Sequence, residues 1–192
     1  MSRPAAVDAI AAFGAAMERM SCRWYLCGAQ AVCVHGRPRM TADIDVTVES
    51  FDPLKLLRDL VKTGFRPAIR GIRDVLDIAS VIPVIHEDTK LPVDIQLAGH
   101  GIERDFLARA KPADIGGVKV PVIAPGDLIV AKLIGGRTKD LEDVQGLVMA
   151  ARAGELARTR TMLASVEVAL ERKDLVAALD KLVAERPAAK KK

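Results

Sequence analysis

Aromatic side chains are scarce in this chain. Phe, Trp and Tyr together make up 3% of its 192 residues, whereas hydrophobic residues make up 50%. The core must therefore be filled mainly by Ala, Val, Ile and Leu. Because proteins that hold single-stranded nucleic acid stack its bases on aromatic rings, the scarcity argues against that kind of binding surface.

Cysteine is also rare. The three cysteines, Cys22, Cys27 and Cys33, are odd in number and show no C-x-x-C spacing. This pattern argues against a disulfide framework and against a zinc site. Their apolar surroundings are typical of reduced cysteines in a core.

Long apolar runs are missing as well. No segment approaches the roughly 20 consecutive apolar residues of a membrane-spanning helix. The N-terminal stretch has acidic residues where a secretory signal would be apolar. We therefore expect a cytoplasmic protein that does not enter a membrane.

The charge balance is slightly basic, with 29 Lys and Arg against 25 Asp and Glu and a formal net charge of +4. This balance mildly favours a polyanionic partner, either a nucleic acid or a nucleotide. The C-terminal PAAKKK sequence is typical of a solvated terminus.

Hydrophobic periodicity predicts an α/β (α+β) fold with a mixed sheet and flanking helices over residues 1–124, followed by a helical subdomain over residues 125–192. Two strand-like runs, 75–87 and 91–99, are separated by the polar sequence DTK and predict a hairpin. The other predicted elements before residue 125 are helices over 4–20, 29–35, 52–64 and 101–110 and strands over 24–27, 44–49 and 117–124.

Two aspartates at the start of a predicted strand are the most informative pair in the sequence. Asp43 and Asp45 are two residues apart, so on a strand their carboxylates project from one face about 7 Å apart. Two acids that converge on one point repel each other unless a cation neutralises them, and carboxylate oxygens suit Mg²⁺ or Mn²⁺. The alternative is that this is only the solvated face of an edge strand.

A third acid, Asp94, lies between Val93 and Ile95 in another predicted strand. If the two strands are neighbours, Asp94 would complete a three-carboxylate catalytic and metal site with Asp43 and Asp45. If they are not, Asp94 is an ordinary surface residue.

A glycine between a predicted strand and a predicted helix offers a site for phosphate. A helix N-terminus presents unpaired N–H groups, and glycine allows close approach to the backbone. Gly28, Ala29 and Gln30 could therefore hold a triphosphate, although such a glycine is often only a turn.

Basic and hydroxyl residues on either side extend the candidate nucleotide site. In GRPRMTAD, Arg37 and Arg39 could contact phosphates and Thr41 could place a hydroxyl beside the metal, unless this is a plain surface loop. Farther along, a second part of the candidate nucleotide site lies on consecutive predicted helices and the turn between them: Lys132, Arg137, Lys139 and Asp140. Lys132 is surrounded by apolar residues, so it either extends its ammonium outward to solvent or binds phosphate.

Together these features describe nucleotidyl transfer. Acids that fix divalent ions stabilise the attacking and leaving oxygens, and a further carboxylate helps to deprotonate the attacking hydroxyl.

The same residues resemble the polymerase-beta-like nucleotidyltransferase superfamily, in which a strand, G-[GS] and a connecting loop precede D-x-D. The sequence LCGAQAVCVHGRPRMTADIDV (26–46) is similar to its minimal, AbiEii-type branch, and PGDLIVAKLIGGRTKDLEDVQGL (125–147) is similar to the second motif region of that branch. The resemblance implies that Asp43, Asp45 and Asp94 are metal ligands and catalytic residues. It also implies triphosphate contacts at Gly28 and Ala29, where the family often has Ser or Gly at the second position, and nucleotide contacts at Lys132 and Asp140.

Within that branch the chain is similar to mycobacterial nucleotidyltransferase toxins of toxin–antitoxin pairs, which add pyrimidine nucleotides to the 3′ end of tRNA and block aminoacylation. This resemblance implies CTP or UTP as substrate, tRNA as acceptor and a cognate antitoxin protein as partner. Two alternatives stay open: transfer to a small-molecule antibiotic or a protein side chain, and a nucleotide-binding module without turnover.

Overall fold

The structure is a computed structural model that describes residues 3–36, 40–50, 52–72, 81–99 and 101–186. Within these residues the strands are β1 (Trp24–Leu26), β2 (Ile44–Val48), β3 (Phe65–Pro67), β4 (Val81–His86), β5 (Pro92–Leu97), β6 (Lys111–Ile115) and β7 (Val118–Val122). The helices are α1 (Ala5–Arg19), α2 (Gly28–Val34), α3 (Pro53–Val61), α4 (Glu103–Arg109), α5 (Pro125–Gly135), α6 (Thr138–Ala150), α7 (Ala153–Leu170) and α8 (Leu175–Ala184). None of the helices in the described part of the chain has the length and apolar character needed to cross a membrane.

The strands form one mixed sheet in the order β3-β4-β5-β2-β1-β7-β6. The β2–β5 and β1–β7 pairs are parallel, and the other pairs are antiparallel. The predicted mixed sheet and the β4–β5 hairpin are therefore confirmed, although residues 75–80 of the first hairpin run lie outside the described residues.

Two strands at the sheet edges, β3 and β6, are absent from the sequence-based prediction. β3 has only three residues, and both strands contain a proline, which lacks a ladder donor and is tolerated at edges. Short edge strands of this kind give little alternation for a sequence to reveal.

The amphipathic α1 packs its apolar stripe into the core of the sheet unit. Ile10, Phe13 and Met17 are fully buried. The Phe13 ring meets Trp24 edge-on at a centroid distance of 5.2 Å and Phe65 at 5.8 Å. A few aromatic rings, packed edge to face, therefore tie α1 to strands β1 and β3.

The chain divides into two compact units, one containing residues 1–34 and 39–124 and the other containing residues 35–38 and 125–192. The described part of the second unit consists of α5 to α8, which bury aliphatic side chains such as Leu128, Leu147 and Leu163. The Arg172 guanidinium donates to the carbonyl of Ile134 at 3.1 Å and so satisfies an orphan acceptor at the end of α5.

Candidate active site

Parallel pairing of β2 with β5 brings two of the predicted acids side by side. Asp45 is in register with Asp94, and their neighbours Ile44 and Val93 are also in register. Because residues paired across a ladder point to the same face, the two carboxylates lie on one face while Ile44 and Val93 are buried on the other. The two strands are thus neighbours, which is the condition on which a three-carboxylate site depends.

The third acid, Asp43, lies just before β2, which begins at Ile44 as the predicted strand does. The strand-spacing argument therefore does not place Asp43 directly. Asp43 nevertheless interacts electrostatically with Asp94. Burial raises the pKa of Asp94, and the negative charge of Asp43 raises that pKa further. Thr41 donates a hydrogen bond from its hydroxyl to Oδ1 of Asp43.

Gly28 is the point at which the predicted phosphate turn meets the acids. Its φ is +59°, in the left-handed region that favours glycine, and a Cβ built there would lie 1.8 Å from Oδ2 and 2.6 Å from Cβ of Asp45. The backbones are also joined, since Cys27 N–H donates to the Asp45 carbonyl at 2.9 Å. The carboxylate of Asp45 therefore lies directly against the turn that opens α2.

The other two residues of the turn are placed differently. The Ala29 methyl group is buried at 2% exposure, whereas Gln30 is half-buried. Any contact of Ala29 with a phosphate would thus use its backbone N–H and not its side chain.

The donor chemistry of this face fits a hard divalent cation, because the three carboxylates supply oxygen ligands and the charges of Asp43 and Asp94 repel each other. Among the described residues, however, no group of three or more His, Cys, Asp or Glu side chains is spaced to hold a metal ion as it stands. The predicted metal roles of Asp43, Asp45 and Asp94 therefore stay a prediction.

The helical unit holds a separate buried ion network between α5 and α6. Nζ of Lys132 lies 3.2 Å from Oδ1 of Asp140 and 2.8 Å from Oδ2 of Asp143. All three side chains are nearly inaccessible to solvent, with 7%, 1% and 2% exposure. Lys132 thus does not extend its ammonium to solvent, because two carboxylates neutralise it inside the unit.

Asp140 also connects this network to the surface. Nε of Arg137 donates to its Oδ2 at 2.7 Å, and the backbone N–H of Arg137 donates to the same oxygen at 3.3 Å. Burial opposes ionisation of Asp140, but hydrogen bonds from Arg137 and Lys132 outweigh it and hold the pKa of the carboxyl below its ordinary value. The Arg137 side chain is 67% exposed, so the network ends in a cation that faces solvent.

The predicted residues thus form two groups, one in each unit. Arg37 and Arg39 lie outside the described residues, and Lys139 is exposed at the start of α6. Asp143 is absent from the sequence-based site. Its signal was the spacing of three from Asp140, which places both carboxylates on one face of a helix. The nucleotide contacts predicted for Lys132, Arg137, Lys139 and Asp140 stay predictions.

Comparison with known proteins supports a transferase. The sequence pattern of the DUF6036 family, described as a nucleotidyltransferase of unknown function, matches residues 9–173. A search of curated proteins found no match.

Three solved structures share the fold. A solution structure of the antibiotic-resistance factor ANT(2'')-Ia has a TM-score of 0.61 at 18% identity, with 86% of this chain and 94% of that chain covered. A crystal structure of ANT(2'')-Ia in complex with adenylyl-2''-tobramycin has a TM-score of 0.60 at 19% identity and coverages of 84% and 98%. An antigenic nucleotidyltransferase-like protein from Paracoccidioides brasiliensis has a TM-score of 0.54 at 18% identity and coverages of 90% and 91%.

Proposed function

The chain belongs to the DUF6036 family of nucleotidyltransferases, and we propose that it moves a nucleoside monophosphate from a nucleoside triphosphate to the 3′ end of tRNA. The enzyme class predicted from its motifs is confirmed by the family match. The AbiEii-type branch, the pyrimidine substrate CTP or UTP and the antitoxin partner are part of the proposal.

The register of Asp45 with Asp94 is the observation that carries this proposal. It places two carboxylates on one face of a central strand pair, with Asp43 close enough to influence the ionisation of Asp94. A purely structural face would gain nothing from this concentration of negative charge, since like charges opposite each other destabilise a sheet. In a site that binds cations and phosphates, the same negative charge would serve to bind the cations.

In the proposed reaction, the terminal hydroxyl oxygen of the acceptor bonds to the α-phosphorus of the triphosphate. The bond from that phosphorus to the bridging oxygen breaks, and pyrophosphate leaves. Asp94 takes the proton of the attacking hydroxyl as the general base.

Asp43 and Asp45 would hold the divalent ion with help from Asp94, and the backbone of Gly28 and Ala29 would receive the triphosphate. Mg²⁺ or Mn²⁺ held by these residues would supply positive charge to neutralise the charge that develops on the phosphate oxygens. Nucleotidyltransferases generally use divalent metals, and the donor set here is of the matching hard-oxygen type.

The acceptor is the more specific half of the proposal. The support for tRNA is the resemblance of residues 26–46 and 125–147 to the toxins, together with the net charge of +4, which favours a phosphate-rich partner. A second candidate acceptor is an aminoglycoside-type antibiotic, which is favoured by the shared fold with ANT(2'')-Ia in its complex with adenylyl-2''-tobramycin.

One labelling experiment tests both halves. The purified chain is incubated with each labelled triphosphate, Mg²⁺ or Mn²⁺, and total tRNA, tobramycin or a protein extract as acceptor. We expect label from CTP or UTP on the tRNA 3′ end, with no transfer when EDTA replaces the metal. Label on tobramycin or protein alone would refute the tRNA acceptor.

The carboxylate assignment needs its own variants. Asp43→Asn and Asp45→Asn should each lose at least about a hundredfold in transfer rate, since they remove charge from the reacting centre. Asp59→Asn is the matched control, because Asp59 is a carboxylate on α3 that pairs with Lys55 and Lys62. Equal rates in all three variants would refute the proposed site.

A further inference from the structure

Thr41, which the sequence places beside the metal in the candidate nucleotide site, makes a specific contact within the protein. Its hydroxyl donates to Oδ1 of Asp43, lies 3.2 Å from the Asp43 carbonyl and receives the Asp43 N–H at 3.5 Å. A hydroxyl has only one proton to donate, and a carboxylate is a stronger acceptor than a carbonyl. The hydroxyl therefore donates its proton within the protein, to the side chain of Asp43, a proposed metal ligand.

Asp43 needs such a contact more than the other two acids do. Asp45 and Asp94 are held by the β2–β5 ladder, and Asp45 is also confined against Gly28. Asp43 lies in the bend before β2 and so precedes the β2–β5 ladder of the described residues. A charge-assisted hydrogen bond from two residues upstream can set the direction of its carboxylate instead.

We propose that Thr41 is a positioning residue that orients the Asp43 carboxylate for a divalent cation, and that it does not contact the nucleotide. This inference rests on the proposed function, because it takes Asp43 to be a metal ligand. The hydroxyl uses one lone pair of Oδ1, so the carboxylate keeps its other lone pairs for a cation. The bond also offsets part of the repulsion between Asp43 and Asp94, because it places the partial positive charge of the hydroxyl hydrogen beside the Asp43 carboxylate.

The two roles for Thr41 differ in what they do without nucleotide. If the residue positions Asp43, its removal weakens cation binding in the free protein. If the residue contacts the nucleotide, its removal leaves cation binding unchanged and raises only the KM for the triphosphate. Titration with Mn²⁺ alone, followed by electron paramagnetic resonance, therefore separates the roles without any measurement of activity.

The variants are Thr41→Val, which keeps the shape, Thr41→Ala, which removes both branches, and Thr41→Ser, which restores a hydroxyl. We expect the Mn²⁺ dissociation constant to rise about tenfold in Thr41→Val and in Thr41→Ala, the loss of one hydrogen bond to a charged group. Thr41→Ser should stay within about twofold of the wild type. Thr63→Val is the matched control, because the Thr63 hydroxyl donates to the Leu60 carbonyl at 2.8 Å at the end of α3.

Two results would overturn the inference in distinguishable ways. Wild-type Mn²⁺ affinity in Thr41→Val and Thr41→Ala, with weakened affinity in Asp43→Asn, would show that Asp43 binds the cation without help from Thr41. Wild-type affinity in Asp43→Asn as well would remove the metal site itself and with it the proposed function. A circular dichroism spectrum and a urea midpoint for each variant confirm that the folded protein is being compared.

Discussion

Gly28→Ala is the substitution whose effect the structure defines most closely. The new methyl group would lie 1.8 Å from Oδ2 of Asp45, whereas Cβ atoms in proteins essentially never approach other heavy atoms within 3.0 Å. Rotating the carboxylate away does not solve the problem, because Cβ of Asp45 would still be only 2.6 Å away and is fixed by β2. The turn or the central strand must shift.

Two separable costs follow from this geometry. An alanine in the left-handed conformation costs about 1–2 kcal/mol, and forcing a methyl group into a filled space costs about 1–3 kcal/mol. We therefore expect Gly28→Ala to lower the free energy of unfolding by about 2–5 kcal/mol. Displacement of the Asp45 carboxylate by roughly 1 Å should also lower the transfer rate about a hundredfold.

Gly64→Ala separates the two costs. Gly64 has φ of +88° with nothing within 4 Å of a built Cβ, so it incurs only the conformational cost. Urea unfolding of both variants, with the transfer assay on each, measures the difference that is due to Asp45. If Gly28→Ala is no less stable and no less active than Gly64→Ala, the close packing of the turn on Asp45 is refuted.

The remaining predictions concern the ion network of the helical unit. Lys132→Met should lower the free energy of unfolding by about 3–5 kcal/mol, because it takes the ammonium away from the buried carboxylates of Asp140 and Asp143. Urea denaturation measures this loss, with Lys181→Met, a substitution at an exposed position, as the control. Equal urea midpoints for the two variants would contradict the prediction. The pKa of Asp140 is lower in the folded protein than in the unfolded chain, so its stabilising effect is complete above the unfolded value of about 3.9 and is lost as the pH falls through the folded value. As the pH is lowered from neutral to about 3, the free energy of unfolding of the wild type, measured by urea denaturation at each pH, should therefore fall more steeply than that of Asp140→Asn. Parallel curves for the two proteins would contradict this.

Local patterns were sufficient to predict the strands that carry the acids. β2 alternates β-branched residues, and the run that became β5 is bounded by turn residues, so both strands and the hairpin that includes β5 follow from short-range signals. The register of Asp45 with Asp94 is different in kind. It depends on α3, β3 and β4 being placed so that β5 returns parallel to β2, which no single segment encodes.

The contacts that shape the site are likewise tertiary. Gly28 and Asp45 are 17 positions apart in the sequence, and the glycine is readable as a turn residue but not as the residue that makes room for a carboxylate. Lys132 has an apolar sequence neighbourhood from which either burial or outward extension could follow. Its burial is decided by Asp140 and Asp143 on the next helix, which supply the compensating charge.

The three acids are held by three different means, and this difference orders their expected tolerance to change. Asp94 and Asp45 are both held by the pairing of β2 with β5, and Asp45 also lies against Gly28. Asp43 precedes the described β2–β5 ladder, and its carboxylate accepts a hydrogen bond from the Thr41 hydroxyl, which we propose sets its direction. One hydrogen bond is easily lost, so we expect cation binding to be most sensitive to changes in residues 41–43. It should be less sensitive to changes in the apolar residues beneath the sheet, where neighbouring side chains can repack.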